Sequence, residues 1–244
     1  MTLFDEFFDD AALFPPGNSP MPLAVAAHRG HRIAWYSPVV GPFVCPAARL
    51  DELVAELHGQ PLRVSLITTT SVPVDRLVEL ASVEGVAEPE VLASFGVPAY
   101  VELPAGADVE TGLDAVAVAG CRAKLRTGGT TAEAFPVERD VARFLASCVE
   151  RKVSFKCTAG LHHAVRHTDP ATGFEHHGFL NVLLATQAAS DGASVDDVAA
   201  VLAERDATAL VGRELDPGVR TWFTSFGTCS VAEPLDDLVS LGLL

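Results

Sequence analysis

Cations are scarce in this chain: 17 Lys and Arg stand against 32 Asp and Glu, a formal net charge of -15. A surface of that sign repels a phosphate backbone, so nucleic acid is not expected as a partner. Long apolar runs are missing too. No stretch approaches the roughly eighteen consecutive apolar residues of a membrane-spanning helix. The opening T-L-F-D-E-F-F-D-D lacks the basic start and apolar run of a secretory signal, so a cytoplasmic protein is expected. Cys45, Cys121, Cys148, Cys157 and Cys229 are odd in number, widely spaced and without CxxC. They read as reduced, mostly buried thiols.

Low-complexity linkers and internal repeats are also absent, apart from a strand–helix rhythm. With 49% hydrophobic residues in 244, one domain over residues 1–244 can bury a full core. Residues 1–37 read as a helical extension. Phe4, Phe7 and Phe8 lie at helical spacing, and Asp9-Asp10 before Pro15-Pro16-Gly17 reads as a solvated helix end. A helix over residues 22–36 would bury Val25, Ile33 and Trp35 and leave His28, Arg29, His31 and Arg32 at the surface.

After Pro38 the rhythm begins. Strands are expected at residues 39–45, 62–70, 80–86, 98–104, 121–129, 153–163 and 221–230. Helices are expected between them, including short ones near 75–79 and 89–95, and longer ones at 109–118 and 136–151. Steps of this kind are the signature of βα units, and the fold class expected is an α/β, (βα)8 TIM-type barrel. Its seventh strand is irregular, because residues 178–210 look helical.

The stretch V-S-F-K-C-T-A-G-L-H-H (residues 153–163) organises the rest. It alternates like a strand yet holds a lysine, and burying an ammonium costs several kcal/mol unless it is paired. Alternation puts every second side chain on one face. Helices cover the outside, so the charged faces of neighbouring strands should line the lumen: Glu84, Glu102, Lys124, Arg126, Lys156 and, beside it, Thr158. The loops T-G-G, T-A-G and G-T-C-S fall at the C-terminal face. There Gly128, Gly129 and Gly160 would admit a ligand close to the backbone. Gly227, Thr228 and Ser230, beside the last helix, would cradle a phosphate or carboxylate.

Five of the eight histidines, His162, His163, His167, His176 and His177, fall in a polar lid that includes Asn181. Neither HxH nor HExxH is present, so proton transfer or substrate binding by His162, His163 and His177 is favoured over a metal site. No organic cofactor is expected; a metal ion is the alternative.

The run from Ala123 through Gly160 resembles class I aldolases of the deoxyribose-phosphate aldolase type. In that family a strand reading F-K-x-T-x-G presents the Schiff-base lysine, and F-K-C-T-A-G here implies that role for Lys156. The family's acid on the fourth strand is an aspartate, matched here by Glu102. Its second lysine lies on the seventh strand, whereas here it is Lys124 on the fifth, and the double-histidine lid has no counterpart. The likeness spans about forty residues. The whole chain also resembles actinobacterial-type proteins, which implies nothing about the substrate.

The function expected is therefore lyase-like, on a small anionic carbonyl metabolite bearing a carboxylate or phosphate. Lys156 would form an imine or polarise the carbonyl, its pKa lowered by Lys124 and Arg126. Glu102, Glu84, His162 or His163 would move protons, and Arg126 with the 227–230 loop would hold the anion. The alternatives are metal-assisted proton abstraction or hydrolysis, with Glu84 and Glu102 or the histidines as ligands, and an anion-binding barrel without chemistry. A homo-oligomer stays open.

Overall fold

Short runs of β-branched and aromatic residues, each followed by an amphipathic stretch, pair in parallel and close on themselves. The computed structural model describes residues 2–106 and 108–244. Seven barrel strands follow in order: β1 (Phe8–Asp10), β2 (Val40–Pro46), β3 (Leu62–Ile67), β4 (Val78–Gly85), β5 (Ala99–Leu103), β6 (Arg122–Arg126) and β7 (Phe155–Thr158). A hairpin, β8 (His167–Thr168) with β9 (Glu175–His176), lies in the next connection. The eighth barrel strand, β10 (Phe223–Thr228), pairs with both β7 and β1 and closes the ring. The chain is a (βα)8-type barrel.

Around it run α1 (Met21–His31), α2 (Leu50–Leu57), α3 (Pro89–Ala93), α4 (Val109–Val118) and α5 (Glu138–Glu150). Then come α6 (Phe179–Ser190), α7 (Val195–Ala203), α8 (Ala207–Val211) and α9 (Ala232–Ser240). α6 is buried almost all round, as its continuous apolar sequence requires.

The start of the barrel differs from expectation. Residues 1–37 are not a helical extension: Phe8–Asp10 is the first barrel strand, so no strand is needed in residues 178–210, which hold α6, α7 and α8. The phenylalanines at helical spacing serve a different packing. Phe7 and Phe8 meet Phe226 at 5.0 and 5.3 Å, and Phe179 stacks on Phe226 at 5.2 Å. Each such pair contributes about 0.5–1.5 kcal/mol beyond area burial. The 68–77 segment carries no helix; Asp75 instead accepts from the Leu77 N–H in a tight turn. Past α1 the chain leaves Ile33 and Trp35 88% and 70% exposed, while His28 is buried on Asp10.

With aromatic and aliphatic side chains outside the sheet, under the helices, the lumen is left to polar groups. Among the described residues no helix is long and apolar enough to cross a membrane. All five cysteines are free thiols, four of them buried.

Candidate active site

The chain has three lysines, Lys124, Lys152 and Lys156, and two of them lie in the lumen, 2% and 1% exposed. Lys124 and Lys156 are direct partners across β6 and β7. Like charges placed so repel unless something stands between them. Glu84, from the end of β4, does so. Its Oε2 lies 2.7 Å from Lys124 Nζ and its Oε1 3.0 Å from Lys156 Nζ.

The alternation continues in both directions. Lys124 also meets Glu102 at 3.0 Å, and Glu102 meets Arg126 at 3.1 Å. Lys156 meets Asp9 of β1, which accepts from Ser225 at 2.9 Å. The result is one chain of contacts across the lumen, Asp9–Lys156–Glu84–Lys124–Glu102–Arg126. Ser65 donates to Glu84 at 2.7 Å, and the Lys156 ammonium stands 5.4 Å from the centre of the Tyr100 ring.

Gly85 lets β4 come this close to its neighbour. A Cβ there would stand 2.1 Å from the Thr68 carbonyl oxygen, just where the Thr68 N–H donates to the Glu84 carbonyl and extends the β3–β4 pairing.

The electrostatics follow from this order. Burial disfavours the Glu84 carboxylate, but Lys124 and Lys156 outweigh it and hold Glu84 far below the usual range. Glu102 is lowered in the same way, burial being outweighed by Lys124 and Arg126. For Asp9 burial prevails and raises the carboxyl despite Lys156. Burial opposes the Lys156 ammonium, yet Asp9 and Glu84 hold its pKa well above that of an ordinary lysine. The lowering expected from Lys124 and Arg126 is thus reversed, because a carboxylate is interposed between each pair of cations.

The chain of charges reaches a cavity at each end, and at Asp9 it is the smaller, of about 280 Å³. Glu102 and half-exposed Arg126 line a cleft of about 770 Å³ at the C-terminal face, together with Leu103, Phe135 and Val137. Lys124 stands one hydrogen bond behind it. Thr158 and Gly227 are register partners beside Arg126, and a Cβ on Gly227 would lie 3.4 Å from the Thr158 hydroxyl.

The remaining candidates serve the frame. Gly128 and Gly160 pack on each other: a Cβ on Gly128 would lie 2.9 Å from the Gly160 Cα, and Gly160 has φ +76°. A Cβ on Gly129 would meet Ala134 at 2.6 Å. Their freedom is used between loops rather than toward a ligand. The Thr228 hydroxyl donates to the Ser230 carbonyl, the Thr228 carbonyl accepts from the Ala11 N–H, and Glu233 already places an anion in the first turn of α9. Of the expected anion cradle at residues 227–230, the Ser230 N–H already donates to the Thr228 hydroxyl.

The lid is internally paired as well. His162 contacts Glu233 at 2.7 Å and His163 contacts Asp237 at 3.2 Å. His163, His167 and His176 pack ring against ring, at 4.8 and 5.1 Å. Asn181 accepts from the Arg166 N–H and donates to the Val201 and Glu204 carbonyls, so no polar atom is left for a substrate.

His177 is equally committed. Its Nε2–H donates to the Pro136 carbonyl at 2.7 Å and its Nδ1 faces Arg166. Burial, aided by Arg166, pushes its pKa down to about 4. The folded protein holds it neutral while the unfolded chain protonates it below its ordinary value, 6.5. Stability is therefore lost as pH falls from 6.5 toward 4, by about 3 kcal/mol at most. His177→Gln should flatten urea-unfolding stability over that window; an unchanged slope would refute the assignment.

Asp9, Ser65, Ser225 and Tyr100 were missed by sequence reasoning. Asp9 carried the only usable signal, an acid next to Phe8 in a run that also fits a strand. Among the described residues no three His, Cys, Asp or Glu side chains converge to hold a metal ion, and both Glu84 oxygens are engaged by ammonium groups. No protein-family model matches the chain, and no curated protein matches it in sequence.

Proposed function

We propose that the lumen is the active centre of a lyase-type enzyme acting on a small carbonyl compound that bears a carboxylate or phosphate. One observation carries this reading: Glu84 clamps two ammonium groups directly behind a cleft rimmed by Glu102 and Arg126. Replacing buried ions by apolar residues of equal volume is often neutral or stabilising. Stability alone gives no reason to fill a barrel with them.

Arg126 would take the substrate's anionic group. That removes one of the two cations lowering Glu102, whose basicity then rises as the substrate binds. Glu102 accepts a proton, from the carbon beside the carbonyl where a carbon–hydrogen bond breaks, or from the β-hydroxyl, which becomes a carbonyl, where the carbon–carbon bond breaks; the electron pair of the broken bond moves to the carbonyl oxygen as an enolate. Lys124, with Lys156 behind it, supplies fixed positive charge for that oxygen. Of the two roles open to Lys156, polarising the carbonyl agrees with an ammonium held above its usual pKa. Imine formation requires the neutral amine.

The test is a panel of small 2-keto acids and phosphorylated aldehydes, followed by NMR in deuterated water, with borohydride added in parallel. The expected result is exchange or cleavage of at least one member without a reduced adduct. An adduct on Lys156 would establish the imine route instead. A panel that binds without turnover would make the protein a non-catalytic anion-binding barrel.

A further inference from the structure

Outside the lumen, three segments bring a thiol, an imidazole and a carboxylate together on the same face of the barrel. Cys229 follows β10, His162 follows β7, and Glu233 lies in the first turn of α9. His162 Nδ1 is 2.7 Å from Glu233, and Cys229 Sγ is 3.9 Å from Nε2 and 4.0 Å from Nδ1 of the same ring. A carboxylate only accepts, so Nδ1 carries the proton and Nε2 keeps its lone pair. The sulfur is thus within reach of Nε2, at a separation that catalytic hydrogen bonds commonly have before a substrate tightens them.

Two further features set this thiol apart. Cys229 is half-buried, whereas the other four cysteines are buried. Residue 17 packs against it so closely that a Cβ there would lie 3.2 Å from the Cys229 Cβ and carbonyl oxygen.

We propose that Cys229 is a nucleophile for activated acyl compounds, with His162 as its base and Glu233 positioning His162. The sulfur bonds to the acyl carbon as its proton passes to His162 Nε2. The bond to the alcohol or phenol leaving group breaks, and the leaving group departs with that proton, giving a thioester on Cys229. Water, deprotonated by His162, then releases the carboxylic acid and returns the proton to the sulfur. No oxidant or reductant is needed. Burial, with Glu233, holds the resting thiol above its ordinary pKa against the Gly17 N–H. Reactivity therefore depends on the base rather than on a standing thiolate.

The probe is p-nitrophenyl acetate, read by nitrophenol release and by mass mapping of the acetyl group. One acetyl on Cys229 is expected. The rate should fall about tenfold or more in His162→Gln, as loss of a general base requires. Glu233→Gln should slow it too, and Glu233→Asp should recover part of the loss, which a merely structural role would not give. Acetylation elsewhere, or an undiminished rate in His162→Gln, overturns the proposal. A second measurement reads the base directly: iodoacetamide alkylation of Cys229 in the folded protein should be slower in His162→Gln than in the parent. Equal rates in the two proteins also overturn the proposal. The lumen reading is tested by turnover of keto acids and aldehydes and this one by acetyl transfer to Cys229, so failure of the one and failure of the other are distinguishable.

Discussion

Glu84→Gln should destabilise the barrel by about 3–5 kcal/mol, the cost of breaking a buried ion pair from one side. The substitution keeps size and a carbonyl acceptor but deletes the charge between Lys124 and Lys156, which face each other across β6 and β7. Two ammonium groups would then share a closed space with no carboxylate between them. Adding Lys124→Met removes one of the repelling charges and should return much of the loss, so the pair should be strongly non-additive in urea unfolding. Simple additivity would mean that Glu84 does not mediate between the lysines.

The second large effect is that of Lys156→Met. Turnover of any substrate the protein accepts should fall about tenfold, less than the 10²–10³-fold that removal of a group touching a developing oxyanion costs, because Lys156 acts through Lys124. Stability should fall as well, with a definite pH dependence. Without the ammonium, Asp9 keeps only Ser225, and burial, already its dominant influence, raises its carboxyl further. A carboxyl raised on folding contributes stability at low pH and loses it as pH rises through the folded value. The deficit relative to the unaltered protein should thus be larger at pH 8 than at pH 5. Equal deficits, or a variant more stable than the parent, would mark Lys156 as ordinary core.

The parent should show the complementary behaviour. Glu84 and Glu102 are lowered on folding, so their stabilisation is present above about 4.5 and is lost as pH falls below it.

Most of the charged lumen was legible because alternation is a local rule. Glu84, Glu102, Lys124, Arg126 and Lys156 each sit one residue from an apolar neighbour in a strand. What alternation could not show is which charges meet. The order that raises the Lys156 pKa depends on Glu84 crossing from β4 to reach two other strands. β1 was hidden for a different reason. Three residues are too few for a period, and the two adjacent acids after Phe8 break the alternation that would betray a lumen face and a helix face. Asp10 turns to His28 and Asp9 to Lys156, both contacts beyond any local pattern. The histidine lid was visible as a cluster. Its partners Glu233 and Asp237 lie about seventy residues further on, where spacing carries no information.

The central claim is that the lumen holds its lysine as a permanent ammonium between carboxylates, for use as charge and not as a nucleophile. With three lysines in the chain, nitrogen-15 labelling of lysine gives few enough side-chain signals to assign. A pH titration of the Lys156 nitrogen by NMR is the most direct measurement. The Lys156 signal should still be that of an ammonium at pH values where an ordinary lysine, near 10.4, has lost its proton. A Lys156 nitrogen already neutral near pH 7 would contradict the account and return the site to imine chemistry.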